Sequence, residues 1–184
     1  MKKIFILFSL FVICLMVDAQ NPCPQVIPAL QQWKGAKGSL SLPTQGNIII
    51  NPSNEEALAS TAFILMEDLK ELMGWEYTIS TGKAPKNGIY LSLSEPDEQL
   101  DKEGYTLSIT NKVSIEAPTT QGIFWGTRTL LQMLHHQKAK LMKGIARDWP
   151  EFPNRGFMLD VGRKFFTLDY LKHQIKVLSF YKMN

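Results

Sequence analysis

The chain has 184 residues, of which 45% are hydrophobic and 20% charged, and its formal net charge is +3. This length allows one domain with a substantial core. The small charge and the lack of a basic stripe interleaved with aromatic residues argue against a nucleic-acid partner. The two cysteines and three histidines show no spacing typical of a metal site, so we predict no bound metal.

The first 19 residues have the pattern of a secretory signal peptide. Lys2 and Lys3 precede an apolar run from Ile4 to Val17, and small residues lead up to Ala19. The alternative is a membrane anchor, but this run is shorter than the roughly 20 residues that a helical span needs. We therefore predict cleavage after Ala19, a periplasmic or secreted location, and no membrane contact for the mature chain.

Residues 20–45 are rich in Pro, Gln, Gly and Ser and predict a loop-like lead-in. A short strand at Asn47 to Ile50 follows. Ser53 and Glu56 then have the spacing of a capping box, and Gly74 occupies the position expected after a helix end. The inner face of this helix is predicted at spacings of three and four residues: Leu58, Ala62, Leu65, Leu69 and Leu72.

Four strands are predicted next, at Tyr77 to Ser80 and in the segments GIYLSLS, GYTLSIT and VSIEA, the last three alternating between apolar and polar residues. A helix from Thr120 to Gln137 follows, in which Gly122 and Gly126 allow close packing. Its inner face is predicted to be Ile123, Thr127, Leu130, Leu131 and Leu134. Residues 46–148 thus predict an α+β domain, a sheet with two covering helices. Its acidic side chains are expected to be solvated: Glu55, Glu67, Asp68, Glu71, Asp97, Glu98, Asp101 and Glu103.

Residues 149–184 have a different pattern. ARDWPEFPNRG, residues 146–156, predicts a rigid linker because it contains two prolines. Gly156 to Asp160 is apolar on both faces, as in a strand of a parallel sheet, and a helix capped by Thr167 follows. The helix would pack through Leu168, Leu171, Ile175 and Leu178. We interpret this segment as the first β/α unit of a (β/α)8 barrel, incomplete here; alternatively, its helix folds back on the first domain.

Two stretches resemble a known family. DWPEFPNRGFMLDVGRKFF, continued by LKHQIKVLSFYKMN, resembles the start of the catalytic barrel in family 20 glycoside hydrolases, the β-N-acetylhexosaminidases. EGYTLSITNKVSIEAPTTQGIFWGTRTLLQML is similar to the end of the α+β domain that precedes that barrel. The resemblance implies a secreted enzyme that removes terminal β-linked GlcNAc or GalNAc from glycans by substrate-assisted, retaining catalysis.

The resemblance also implies roles for individual residues. Arg155 matches the arginine that contacts hydroxyls of the terminal sugar, for which a planar guanidinium is well suited. Asp160 and Arg163 are secondary candidates, and for all three the alternative is a structural ion pair. Relatives use an Asp-Glu pair on a later barrel strand, so we assign no catalytic residue in these 184 residues and expect this piece alone to be inactive. No cofactor is implied, because the substrate supplies the nucleophile.

Two other functions remain open. The chain could be an exported, non-catalytic α+β module that binds carbohydrate or a protein, with its last helix docked on the sheet. It could also be a glycosidase of another kind with a similar front domain, such as an α-glucuronidase or an O-GlcNAc-type hydrolase. The block RGFMLDVGRKFF favours the hexosaminidase interpretation.

Overall fold

The computed structural model describes residues 20–84, 86–137 and 140–184. The predicted signal peptide lies outside these residues. The strands are β1 (Gln32–Ser41), β2 (Gln45–Ile50), β3 (Glu76–Thr81), β4 (Ile89–Leu93), β5 (Tyr105–Ile109), β6 (Val113–Ala117) and β7 (Lys140–Asp148). The α-helices are α1 (Glu55–Met73), α2 (Thr120–Gln137) and α3 (Leu168–Phe180).

The seven strands form one mixed sheet in the order β1-β7-β5-β6-β4-β2-β3. β2 runs parallel to β3 and β4, and β4 runs parallel to β6. β5 is antiparallel to β6 and β7, and β7 is antiparallel to β1. α1 and α2 contact each other and pack on the sheet. The predicted α+β class is confirmed, and β5 and β6 form an antiparallel hairpin.

The core lies between the sheet and these two helices. The predicted inner face of α2 is buried in full, and that of α1 is buried except for Leu72, which lies in the last turn and is exposed. Gly74 ends α1 with a φ of 68°, the left-handed conformation that glycine adopts most easily. At Gly122 an added Cβ would lie 2.3 Å from the Gly104 carbonyl oxygen, so α2 approaches the sheet there as predicted.

The predicted lead-in loop, residues 20–45, is wrong in part, because it contains β1. The partner strand of β1 is β7, which was also not predicted. β7 includes Ala146–Asp148, which the sequence assigned to the linker. β1 is an edge strand whose register shifts between Gly35 and Ser39. A bulged, Gly- and Lys-containing edge strand lacks the strict alternation by which a strand is recognised in sequence.

The predicted capping box at the start of α1 is also wrong. Pro52–Asn54 form a single 3-10 turn, and the Asn51 Oδ1 atom accepts a hydrogen bond of 3.1 Å from the Ser53 amide. Pro52 fixes φ for this turn, which shifts the first residue of α1 to Glu55. Asn54 instead accepts a hydrogen bond of 2.9 Å from the Leu93 amide, which ties the turn to β4.

The segment predicted as a strand, Gly156 to Asp160, has no partner strand within the described residues. Strand geometry requires a neighbouring ladder, and none lies beside this segment. Phe157 and Met158 are exposed, Met158 at 88%, and Leu159 is half-buried.

The last helix begins as predicted, since Thr167 Oγ1 accepts a hydrogen bond from the Tyr170 amide. The predicted inner face of α3 is only partly covered, because Leu168 and Ile175 are exposed whereas Leu171 and Leu178 are half-buried. The helix contacts α2. It reaches the front domain, residues 20–148, through Lys176 and Phe180.

Candidate functional site

Arg155, the predicted sugar contact, lies between the front domain and the end of α3. Its Nε donates a hydrogen bond of 2.7 Å to the Lys182 carbonyl, and its Nη1 donates one of 2.7 Å to the Phe152 carbonyl. Its Nη2 forms an ion pair with the Glu103 carboxylate. The guanidinium carbon is 5.8 Å from the centroid of the Trp125 ring, within cation–π range. The side chain is thus held on three sides.

Glu103 is the acceptor that connects these groups. Besides Arg155, its Oε2 accepts a hydrogen bond of 2.9 Å from the Trp125 indole. Its Oε1 accepts one of 3.2 Å from the Asn184 amide nitrogen. Asn184 and Arg155 also exchange two hydrogen bonds, from the Arg155 amide to Asn184 Oδ1 and from the Asn184 amide to the Arg155 carbonyl. The two ends of residues 155–184 are therefore tied together and to the front domain.

A buried charged cluster lies beside this network. Lys182 Nζ is 2.8 Å from Asp148 Oδ2 and 2.8 Å from the Tyr105 hydroxyl, which donates to the same carboxylate oxygen at 2.6 Å. Thr129 lies 2.6 Å from that hydroxyl, and the Gln31 amide donates to the other Asp148 oxygen. All polar atoms are satisfied, as burial of an ion pair requires.

Burial sets the proton affinities in this cluster. Removal from water lowers the pKa of Lys182, while the nearby Asp148 carboxylate opposes that shift. Burial, followed by the charge of Asp148, raises the pKa of the Tyr105 hydroxyl well above its usual range. The tyrosine therefore stays protonated and acts as a permanent donor to Asp148.

An open cavity of about 410 Å³ lies against these residues. Its lining combines aromatic rings with charged groups: Glu103, Tyr105, Trp125, Trp149, Arg155 and Lys182. Arg155 has five N–H donors, and three of them are used in the contacts above. Within the described ranges the remaining two have no protein acceptor. They can donate to a ligand's hydroxyl groups.

The secondary candidates lie apart from this cavity. Asp160 and Arg163 pair with each other at 3.1 Å, with side chains 49% and 91% exposed, and neither contacts Arg155. Asp160 also accepts hydrogen bonds from the Gly162 and Arg163 amides, which makes it a turn-forming side chain. The structure therefore brings together only the two secondary candidates.

Sequence reasoning missed most partners of Arg155. Glu103 was predicted to be a solvated acid, yet its side chain is only 13% exposed. Asp68, Glu71 and Asp97 are paired with Arg128, Lys176 and Arg147; of these three acids, Glu71 is exposed as predicted, whereas Asp68 is mostly buried. These pairs join residues 50 or more positions apart, a separation that no local pattern indicates.

The only Asp-Glu dipeptide in the sequence is Asp97-Glu98. It lies in the loop between β4 and β5, and the Asp97 carboxylate forms two hydrogen bonds of 2.7 Å with Arg147. It is thus part of a structural pair in the front domain, not of a barrel strand. Among residues 20–84, 86–137 and 140–184, no cluster of three or more His, Cys, Asp or Glu side chains is arranged to hold a metal ion. None of the described helices is long and apolar enough to cross a membrane.

Comparison with known proteins defines the class as glycoside hydrolase. The sequence profile described as "Glycosyl hydrolase family 20, domain 2" matches residues 23–149, and that of the family 20 catalytic domain matches residues 152–184. The chain therefore belongs to glycosyl hydrolase family 20, as the sequence resemblance predicted.

Individual relatives agree with this assignment. A β-hexosaminidase of Porphyromonas gingivalis is 29% identical over 170 residues, which cover 86% of this chain and 21% of the relative. The solved N-acetyl-β-hexosaminidase of Streptomyces plicatus, in complex with Thio-NAglucal, is 26% identical with a TM-score of 0.76, covering 91% of this chain and 34% of that one. The Bacteroides fragilis β-N-acetylhexosaminidase shares the fold, with a TM-score of 0.70 at 23% identity over 86% of this chain and 31% of that one. The chain thus spans about a fifth of the curated relative and a third of the solved ones.

Proposed function

We propose that this chain is the N-terminal portion of a secreted exo-β-N-acetylhexosaminidase that hydrolyses terminal β-linked GlcNAc or GalNAc. The observation that carries the proposal is the continuous match of two consecutive family 20 domains, with Arg155 at the start of the second one beside an open cavity. Relatives named β-hexosaminidase, and the S. plicatus enzyme in complex with Thio-NAglucal, support this class of substrate.

The proposed chemistry assigns binding, and not bond cleavage, to these residues. In substrate-assisted retention the carbonyl oxygen of the 2-acetamido group attacks the anomeric carbon while a glutamic acid protonates the leaving oxygen. The Asp-Glu pair for these steps is expected on a later barrel strand. Arg155 would contribute its two remaining N–H donors to sugar hydroxyls, since a fixed planar fork matches two adjacent oxygens.

The exposed apolar side chains support an enzyme over a self-contained binding module. Phe157, Met158 and Val161 are all more than half exposed, although they follow directly on a well-packed domain. A binding module whose last segment closed its own core would bury such residues, because contiguous exposed apolar surface is rare on monomeric proteins.

The proposal is tested with an aryl N-acetyl-β-glucosaminide. We expect the 184-residue chain to be inactive and the chain expressed together with the remainder of a catalytic domain to be active, releasing the β-anomer first, as seen by proton NMR. Arg155→Lys in the active protein should raise KM, because it removes the fork that binds the sugar. Hydrolysis by the 184-residue chain, or an α-anomer as first product, would contradict the proposal.

Export is tested separately. Residues 1–19 fused to a reporter should direct it across the inner membrane, and N-terminal sequencing of the exported protein should begin at Gln20. A reporter that stays in the cytoplasm, or that remains membrane-bound and uncleaved, would refute secretion without affecting the enzymatic proposal.

A further inference from the structure

Glu103 has more contacts than an ordinary loop acid. It lies in the loop before β5, in the front domain, yet its two oxygens accept hydrogen bonds from three side chains: Trp125 of α2, Arg155 and Asn184. Two of those donors, Arg155 and Asn184, belong to the segment that matches the catalytic domain. The Glu103 carboxylate therefore contacts both the front domain and the segment that matches the catalytic domain.

The contacts of Arg155 show what Glu103 does there. Two of its described partners are neutral carbonyl groups, of Phe152 and Lys182, and the charge of Lys182 repels it. Glu103 is its only anionic partner among the described residues. Hydrogen bonds between charged groups are about twice as strong as neutral ones, so Glu103 makes the largest contribution to the orientation of the guanidinium.

The pair is also shielded from water. The side chains of Arg155 and Glu103 are 15% and 13% exposed, and the Trp125 ring lies beside both groups. In such a site a charge pair is screened less than at the surface, and loss of one partner leaves the other poorly solvated. The guanidinium is therefore held in place where Arg155 lines the cavity.

We propose that Glu103 is a positioning residue: it orients Arg155 for binding the sugar, and through it the front domain takes part in the substrate site. This inference rests on the proposed function, because it requires that Arg155 contact the sugar. It gives the front domain a role in substrate affinity in addition to any role in stability.

The test is a double-mutant cycle in the active protein, with Glu103→Gln, Arg155→Lys and the double variant. Glutamine keeps the shape and removes the charge. We expect Glu103→Gln to raise KM about tenfold with kcat within about twofold, because uniform binding is lost. In the Arg155→Lys background, Glu103→Gln should change KM by less than about threefold, since its effect acts through the arginine.

Asp97→Asn is the matched control. Asp97 lies in the same loop and pairs with an arginine, Arg147, outside the segment that matches the catalytic domain. This variant should leave KM unchanged. A purely structural role for Glu103 would instead lower the amount of active protein and the apparent kcat, leave KM unaffected, and be additive with Arg155→Lys.

A second measurement uses the 184-residue chain itself. The Arg155 Nε–H signal in a 15N NMR spectrum should be sharp and protected in the wild type and in Asp97→Asn, and lost to exchange in Glu103→Gln. An unchanged signal, or additive KM effects in an active protein, would overturn the positioning role while the proposed function stands. A wild-type protein with its catalytic domain but no hydrolysis would overturn both.

Discussion

The front domain, residues 20–148, and the segment of residues 149–184 are stabilised in different ways. In the front domain the apolar side chains of seven strands and two helices form one buried core. In the segment no residue of α3 is buried, and Phe157, Met158 and Phe165 are exposed. The segment is attached by polar contacts of Arg155, Lys182 and Asn184, and Phe180 packs against the core.

The two regions therefore differ in how they are held. Burial of apolar surface is the main driving force of folding, and the front domain has a buried core of its own. Polar contacts to a surface provide geometry and specificity, but their net contribution is small per bond. Residues 149–184 are thus positioned by the front domain while offering apolar surface for further contacts.

The largest difference in the free energy of unfolding is expected between two leucines that are each predicted on the inner face of a helix. Leu65 of α1 is fully buried, whereas Leu168 of α3 is 65% exposed. Leu65→Ala should lower the free energy of unfolding by about 3 to 4 kcal/mol, because it removes transfer energy and leaves a cavity. Leu168→Ala should change it by less than about 0.5 kcal/mol. Urea unfolding followed by circular dichroism measures both, and equal losses would contradict a core confined to the front domain.

The second-largest effect is expected for the buried ion pair between Lys182 and Asp148, which attaches residues 149–184 to the front domain. Lys182→Met leaves the Asp148 carboxylate buried without its cation. Breaking such a pair costs about 3 kcal/mol, in contrast to roughly 0 to 1 kcal/mol for an exposed pair. We expect the variant to release residues 149–184 and to be cut by trypsin at Arg155, which its neighbours otherwise protect.

The matched control for this pair is Arg163→Met, which removes the exposed ion pair with Asp160. It should leave stability unchanged and abolish only the tryptic cut at residue 163 itself. If Lys182→Met were as mild as Arg163→Met, the segment would be held by contacts other than the buried cluster.

A smaller effect is expected from two glycines. An added Cβ at Gly122 would lie 2.3 Å from a backbone oxygen, whereas at Gly156 it would meet no atom within 4 Å. Gly122→Ala should therefore cost about 1 to 3 kcal/mol through overpacking, despite the higher helix propensity of alanine. Gly156→Ala should be neutral. Thermal unfolding of the two variants side by side checks this, and a stabilised Gly122→Ala would show that α2 can move away from the sheet.

The same contrast explains what the sequence predicts well. The sequence predicts five of the seven strands and all three helices among the described residues, three of those strands by alternation, because a side chain facing a core must recur at the period of its element. Leu107 and Leu130 are buried as their spacing requires. β1 and β7 were missed since they pair with each other across about 100 residues and lack strict alternation.

The site was less predictable, because its contacting residues are also far apart in the sequence. The position of Arg155 follows from its RG motif, but its partners Glu103 and Asn184 are 52 and 29 residues away in the chain. A solvated and a paired carboxylate look alike in sequence, because the pairing depends on tertiary structure alone. The apolar face of α3 follows from its periodicity, but periodicity does not specify what covers that face, and in the described residues Leu168 and Ile175 are exposed.

The last prediction concerns a pair within the front domain, where no interface is involved. Two hydrogen bonds from Arg147, together with the Leu100 amide, hold the pKa of Asp97 below its ordinary value of 3.8. Because the folded-state pKa is lowered, the pair stabilises the fold above the ordinary value, and this contribution is lost as the pH falls through the folded-state pKa. Arg147→Gln should move the pKa of Asp97 back towards 3.8.

Carboxyl 13C NMR over the acidic range measures this shift, and Arg163→Gln, which affects only the exposed pair with Asp160, serves as the control. An unchanged Asp97 midpoint in Arg147→Gln would mean that backbone amides alone hold the carboxylate. Asp97 would then be fixed by its own loop, and its ion pair would resemble the exposed pair of the C-terminal segment more than the shielded pair of Glu103 and Arg155. In that case the strength of an ion pair in this chain would depend on its burial alone, and not on which of the two regions contains it.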